Sequence, residues 1–312
     1  MRAFTLDGFD TPPALRDLPT SAPAPGAGEL LVRVRASSAN PVDNAIAAGM
    51  LKDMVEHRFP VILGRDYAGV VEQAGPGAAR FAAGDEVFGF ILHADPVVHR
   101  GGWAELITVA ESALARKPAA VASSDAGATP LAGITALTCL DALELTAGQS
   151  VLIAGATGGV GSFAVQLAAA AGAHVITTAL AGDEEYLRGL GAAELVDRDG
   201  DVAAAVRANH RGGIDAIVDL VSYTPDAFAT YAAALKTGGR ASSPLPGVGD
   251  GEGRFAIMAT PDPAALDRLG AHLSAGTLRV PIQRSYGLEQ AGEALGALAS
   301  THTQGKLAIA VA

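Results

Sequence analysis

One short stretch limits what this chain can fold into more than any other. Val151-Leu-Ile-Ala154 is an apolar run of strand type, and Ala156-Thr157-Gly158-Gly159-Val160-Gly161 follows it closely. Ser162 to Ala171 then has the composition of an Ala-rich helix. Strand, glycine turn and helix in this order form the first turn of a nucleotide-binding unit. The glycines let the backbone bend and approach a pyrophosphate, and the helix N-terminus presents free N–H groups and a positive dipole end. The spacing matches G-x-G-x-x-G with Ala156 in the first glycine position, which makes Ala156, Thr157, Gly158, Gly159, Val160 and Gly161 cofactor-binding candidates. A glycine-rich turn that binds nothing is the plainer alternative. A second strand over His174–Thr178, after the helix, favours the dinucleotide.

The texture on either side of this turn differs. Residues 1 to about 120 carry short strand candidates at Leu30–Ala36, Tyr67–Gln73, Glu86–Phe90 and Ala104–Val109, separated by Gly/Pro turns, which suggests a barrel-like β domain. Segment 19–28, rich in Ala, Pro and Gly, is expected to be a loop. From about 121 to 275 strands and helices alternate, as a parallel sheet covered on both faces requires. A helix is expected over 127–143. Strands are expected at Glu194–Val196, Ile214–Leu220, Arg240–Ser243 and, as a sixth, Arg254–Met258, with helices at 183–190, 201–209 and 225–235. The tail from Val280 carries a helix near 288–299 and a last strand at Leu307–Val311. A chain of 312 residues fits two such domains.

The bulk properties exclude several classes of partner. A net charge of −11 argues against nucleic acid and anionic membranes, and no apolar run reaches the roughly 18 residues of a membrane-spanning helix. The first residues enter a strand pattern at once, so no signal peptide is expected. Cys139, the one cysteine, forms no intrachain disulfide and suits a reducing cytoplasm. Its apolar neighbours make it a small core residue rather than a nucleophile.

Further short motifs lie in a fixed order along the chain. Asn40-Pro-Val-Asp43, Leu63-Gly-Arg-Asp-Tyr-Ala-Gly-Val-Val71 and Ala83-Gly-Asp-Glu-Val-Phe-Gly89 are followed by Gly101-Gly-Trp-Ala-Glu105 and Gly133-Ile-Thr-Ala136. Beyond the glycine turn come Asp215-Ala-Ile-Val-Asp-Leu-Val221, Thr237-Gly-Gly-Arg240 and Gly305-Lys306-Leu307. Together they resemble the zinc-independent quinone oxidoreductase branch of the medium-chain dehydrogenase/reductase superfamily, over nearly the whole chain. The resemblance implies a Rossmann doubly wound parallel-sheet domain (121–275) inserted in a GroES-like β-rich catalytic domain (1–120 plus 276–312). It also implies an active site in the cleft between them and a homodimer. It places Asn40 and Thr135 nearest the nicotinamide as hydrogen-bonding and orienting groups, with Lys306 among the cofactor-binding residues. Local capping by Asn40 and a plain helix hydroxyl at Thr135 are the alternatives.

Zinc-dependent relatives carry a cysteine ligand where this chain has Asn40 and Gly-His-Glu where it has Gly64-Arg65-Asp66. With a single cysteine elsewhere, neither of their zinc sites can be assembled, so no metal is expected. His93, Asp95 and His99 match no standard ligand spacing and suit a solvated loop better. NAD enzymes usually place a carboxylate about 20 residues past the glycines, but Ile176-Thr-Thr-Ala-Leu-Ala181 has none. Thr177 or Thr178 could donate to a 2′-phosphate, and Arg198 could supply its counter-charge. A surface role is the alternative for Arg198. The expected cofactor is therefore NADPH.

The expected activity is hydride transfer to a quinone or α,β-unsaturated carbonyl, with the protein positioning the reactants and stabilising the oxyanion. The alternatives on the same fold are an NADPH-binding sensor or scaffold, or a non-redox biosynthetic enzyme. Asp43 and Arg65-Asp66 are expected to form a structural charge network. Tyr67, a conceivable proton donor, is expected in the core, and Trp103 is expected to anchor the β domain. Many quinone reductases have an Arg and a Tyr where this chain has Ala47 and Leu51, which makes the substrate pocket more apolar here.

Overall fold

The computed structural model describes residues 1–18, 24–92, 97–98 and 100–311, with 97–98 described by backbone alone. His93, Asp95 and His99 lie outside the described residues, as do positions 19–23 of the expected loop. Contacts divide the chain into two compact units. One comprises Met1–Ile134, Thr260–Gly276 and Ile282–Ala312, and the other Thr135–Ala259 and Thr277–Pro281. Among the described residues no helix is long and apolar enough to cross a membrane.

The first unit opens with β1 (Arg2–Leu6), β2 (Ala14–Asp17), β3 (Glu29–Ala39), α1 (Pro41–Ala47), β4 (Glu56–His57), β5 (Val61–Ile62) and β6 (Asp66–Ala74). It continues through β7 (Glu86–Phe90), β8 (Val97–Val98), β9 (Leu106–Ala110), β10 (Leu114–Arg116), α2 (Ser123–Ala128) and the start of α3 (Pro130–Leu143). The expected helix 127–143 is thus two helices. Pro130 cannot donate a backbone N–H and so begins a new helix.

The second unit carries β11 (Ser150–Ala154), α4 (Gly159–Ala170), β12 (His174–Ala179), α5 (Glu184–Leu190), β13 (Glu194–Asp197) and α6 (Val202–Asn209). β14 (Ile214–Asp219), α7 (Pro225–Ala232), β15 (Leu235–Ser243) and β16 (Arg254–Ala256) complete its sheet. All six strands are parallel, in the order β13-β12-β11-β14-β15-β16. Every residue of β11 is buried, as a strand covered on both faces must be, which is why four consecutive apolar residues follow Ser150. The strand order reverses between β11 and β14, and ligands of such sheets bind beyond the strand ends at that point.

The chain returns to the first unit through α8 (Pro263–Ala275), β17 (Ile282–Gly287), α9 (Ala291–Ser300) and β18 (Lys306–Ala310). Strands β10, β7, β6, β3, β18 and β17 follow one another in a seven-stranded sheet whose remaining member, β9, pairs with β3. The core beneath includes Trp103, Phe4, Leu63 and Tyr67. Phe4 and Trp103 meet edge to face at 5.9 Å. A Cβ on Gly64 would lie 2.2 Å from the Trp103 ring, so Trp103 is the buried anchor expected of it. The textural boundaries near 121 and 275 differ from those of the contact units because two helices belong with the β half: α2 packs on β3 and β6, and α8 on β10 and β7.

Candidate functional site

In the first unit, strand register gathers polar residues that lie far apart in sequence. β18 runs antiparallel to β3 with Leu307 opposite Ala39, so Lys306 falls beside Asn40. β6 runs antiparallel to β3 with Ala68 opposite Ala36, which brings Asp66 to Ser38. Lys306 Nζ donates to Asn40 Oδ1 at 2.6 Å and lies 3.7 Å from Asp66 Oδ2. That carboxylate oxygen also accepts from Ser38 Oγ at 2.6 Å and from Asn40 Nδ2 at 2.8 Å. Asp66 Oδ1 accepts the Leu131 N–H at 2.8 Å, in the first turn of α3, where a negative charge is favoured. Asn40, Asp66 and Lys306 are all buried. The Asn40 amide is therefore fixed at both ends, oxygen toward Lys306 and nitrogen toward Asp66.

A second buried pair lies beside it. The Asp43 carboxylate accepts the Asn40 backbone N–H at 2.8 Å, bracing the start of α1, and its other oxygen is 3.9 Å from Arg65 Nε. Arg65 donates onward to the carbonyls of Ile62 and Arg100 at 2.9 and 2.7 Å. The network expected of Asp43, Arg65 and Asp66 is present, and Lys306 is its additional member. Burial lowers the Lys306 ammonium from its usual range, opposed by Asp66 and Asp43.

Burial pushes the Asp43 carboxyl up to about 7, against the pull of Arg65. An unfolded aspartate titrates near 3.9. A value raised in the folded state gives stability that is complete below about pH 4 and lost as pH rises through about 7. Denaturation of the wild type and of Asp43→Asn across that window should show the wild type losing stability relative to the variant as pH rises. A flat difference would contradict this linkage.

In the second unit, the turn after β11 differs in detail from its sequence pattern. Gly155 has φ +84° and a Cβ there would strike Val221 at 2.8 Å. The residue before Ala156 therefore makes the sharp bend, and Ala156 is tolerated in the first glycine position because Gly155 does its work. α4 begins at Gly159, earlier than expected, so Gly159, Val160 and Gly161 form its first turn. A Cβ on Gly161 would lie 2.2 Å from the Gly155 carbonyl oxygen, whereas one on Gly158 would meet nothing nearer than 3.7 Å. Gly161 permits close helix–strand packing and Gly158 leaves open space above the turn. With the partnerless N–H groups of a first helical turn, this cradle fits a dinucleotide pyrophosphate.

At the end of β12 the nearby acids bond to backbone N–H groups: Asp197, opposite Ala179 in the neighbouring strand, accepts the Asp199 N–H at 3.0 Å. Asp183 is turned back, its carboxylate accepting the Leu180 N–H at 3.1 Å, and Glu184 accepts the Gly182 N–H at 2.8 Å. Arg198 is placed there instead. Its backbone N–H donates to the Ala179 carbonyl, the last residue of β12, at 3.0 Å. Its side chain is 47% exposed, with Asp199 at 3.7 Å, and lines a cavity of about 640 Å³ with Arg207 and Tyr231. Thr177 and Thr178 are buried within β12, short of its tip, so their positions differ from that of Arg198.

Thr135 is buried in the first half of α3. Tyr67 is fully buried and its phenol is pushed well above its usual range by desolvation, so it belongs to the core. Cys139 is likewise buried, its thiol pushed up to about 12. The positions that correspond to zinc ligands in zinc-dependent relatives offer an amide, Asn40, a buried cation, Arg65, and a carboxylate occupied by several donors, Asp66. That donor set does not fit zinc.

Two family models match the chain: the alcohol dehydrogenase GroES-like domain over residues 26–119 and the zinc-binding dehydrogenase over residues 159–255. The chain is 34% identical to the chloroplast envelope quinone oxidoreductase homolog of Arabidopsis thaliana over 239 residues, 75% of this chain and 71% of that one. It is 29% identical to a chloroplastic quinone oxidoreductase of Triphysaria versicolor across 99% of this chain and 98% of the relative. The solved quinone oxidoreductase of Coxiella burnetii superposes with a TM-score of 0.88 at 30% identity, covering 100% of this chain and 99% of that structure.

Proposed function

The chain belongs to the quinone oxidoreductase branch of the medium-chain dehydrogenase/reductase superfamily, and from that premise we propose an NADPH-dependent, zinc-independent reductase of quinones or α,β-unsaturated carbonyls. The observation that supports the cofactor choice is the half-exposed Arg198 side chain just beyond the tip of β12, where Asp183 is turned back to the backbone. A guanidinium there matches the geometry and charge of a 2′-phosphate. When bound, the nicotinamide supplies the hydride.

The chain's own residues position and shield. Asn40, held by Lys306 and Asp66, presents a fixed amide whose oxygen keeps a free lone pair. Its proposed role, with Thr135, is to orient the nicotinamide and the acceptor. Arg65 and Lys306 are balanced by Asp43 and Asp66, so their proposed part is to hold Asn40 in place. Tyr67 is too buried to protonate the product, and the proposed source of the final proton is water. Ala47 and Leu51 pack against the core, and Met50 and Met54 stay exposed beside α1, an apolar setting suited to greasy acceptors. The homodimer and the cytoplasmic location belong to the same proposal.

Cofactor titration tests the assignment. Arg198→Ala should weaken NADPH binding about tenfold or more, the loss of one charge-assisted contact, and leave NADH nearly unchanged. Equal losses for both cofactors would remove Arg198 from the site. Activity should also survive exhaustive chelation; a loss restored by zinc would overturn zinc independence.

A further inference from the structure

At the opposite end of the second unit's sheet, away from the glycine turn, two histidines and a glutamate converge. His174 is the first residue of β12 and Glu194 the first of β13. The strands run parallel with Ile176 beside Glu194, so His174, two residues before Ile176, shares the face of Glu194. His210 ends α6 and closes the group from the side. His210 Nε2 is 2.9 Å and His174 Nε2 3.5 Å from the same oxygen, Glu194 Oε2. All three ligand atoms lie within 4.8 Å of one another. Asn209 Nδ2 holds the other carboxylate oxygen at 2.8 Å, fixing the plane of the group.

We propose that His174, Glu194 and His210 form a binding site for a divalent transition metal, zinc by preference. Zinc bonds of about 2.0–2.2 Å at tetrahedral angles place ligand atoms roughly 3.3–3.5 Å apart. The 2.9 and 3.5 Å spacings to Glu194 lie close to that range, so a metal needs only small side-chain shifts. Two imidazoles and one carboxylate select zinc, cobalt or nickel over magnesium and calcium, which take oxygen ligands. Asn209 is the outer-shell partner such a carboxylate requires. The half-exposed His174 leaves a route to solvent and a fourth position for water. Occupancy of the site would tie β12, β13 and α6 together at the base of the sheet without entering the reaction.

Chelator-treated, desalted protein titrated with zinc chloride in a calorimeter tests this, with cobalt chloride followed by visible absorption. The expected result is one equivalent of zinc, a tetrahedral cobalt spectrum, and a melting temperature that rises with zinc. His174→Ala and His210→Ala should each weaken binding by more than the roughly tenfold expected for Asn209→Ala. No binding, or unchanged binding in the His174→Ala/His210→Ala double variant, overturns the proposal. Where a variant misfolds, anomalous scattering from zinc-soaked wild-type crystals decides. A zinc peak bonded to both Nε2 atoms supports the site, and a peak only elsewhere refutes it.

Discussion

Lys306→Met should lower kcat/KM about 10²-fold, the penalty of a misplaced orienting group, and destabilise the fold by about 3–5 kcal/mol, as removing one partner of a buried ion pair does. The variant removes the 2.6 Å contact to Asn40 Oδ1 and the cation 3.7 Å from Asp66. Asp66 keeps its bonds from Ser38, Asn40 and Leu131, so the lower end of that range is expected. The Asn40 amide, anchored at its nitrogen alone, can then swing. Lys306→Arg should not restore the rate, because a planar fork cannot replace a compact ammonium in a filled space. Urea denaturation and steady-state rates together check this. A variant as stable and as active as the wild type would show that Lys306 neither balances Asp66 nor positions Asn40.

Gly161→Val should abolish measurable NADPH binding. Its Cβ would lie 2.2 Å from the Gly155 carbonyl oxygen and 2.6 Å from Ala156 Cα, both backbone atoms of the bend. α4 must then move away from β11, which carries the first-turn N–H groups out of position. Gly158→Ala separates folding from binding, since its Cβ meets nothing within 3.7 Å in the protein. That variant should melt like the wild type yet bind NADPH about ten- to hundredfold more weakly, an overlap with ligand costing about 1–3 kcal/mol. Unchanged affinity for Gly158→Ala would mean that the pyrophosphate does not lie over this turn.

The elements legible in the sequence were those that the physics of burial marks strongly. β11, β12 and β14 each carry a short buried apolar run, 151–154, 175–176 and 216–218, because both faces of their sheet are covered, and their expected bounds fall within one residue of those observed. β17 carries no strand signal of its own: Gln283, Arg284 and Ser285 are exposed, and its strand character comes from pairing with β18 at the sheet edge. α8 has a weak pattern although Asp262 caps it and Pro263 begins it, because its buried stripe is only Ala265, Leu266, Leu269 and Gly270. β15 begins at Leu235 rather than Arg240, its register shifting as it passes Gly238 and Gly239.

The candidate site was legible in part. The glycine spacing is a local signal, but Gly155 lies outside it because the pattern starts one residue later. The six-member turn, Asn40, Thr135 and Arg198 all come from local pattern or resemblance. The contact of Lys306 with Asn40 spans 266 residues and exists only through the pairing of β18 with β3. No local signal announces it, and Lys306, expected among the cofactor-binding residues, bonds to Asn40 and lies beside Asp66. Its proposed role is accordingly positioning. The convergence of His174, Glu194 and His210 has the same origin, a parallel register that no single segment reveals.

The most direct measurement is NADPH oxidation by the purified, chelator-treated protein with a series of quinones and conjugated enones, with NADH in parallel. Stoichiometric consumption of NADPH with reduction of the acceptor, faster than with NADH, is the result expected. Tight NADPH binding without turnover on any acceptor would contradict the reductase and leave a cofactor-binding protein on an oxidoreductase fold.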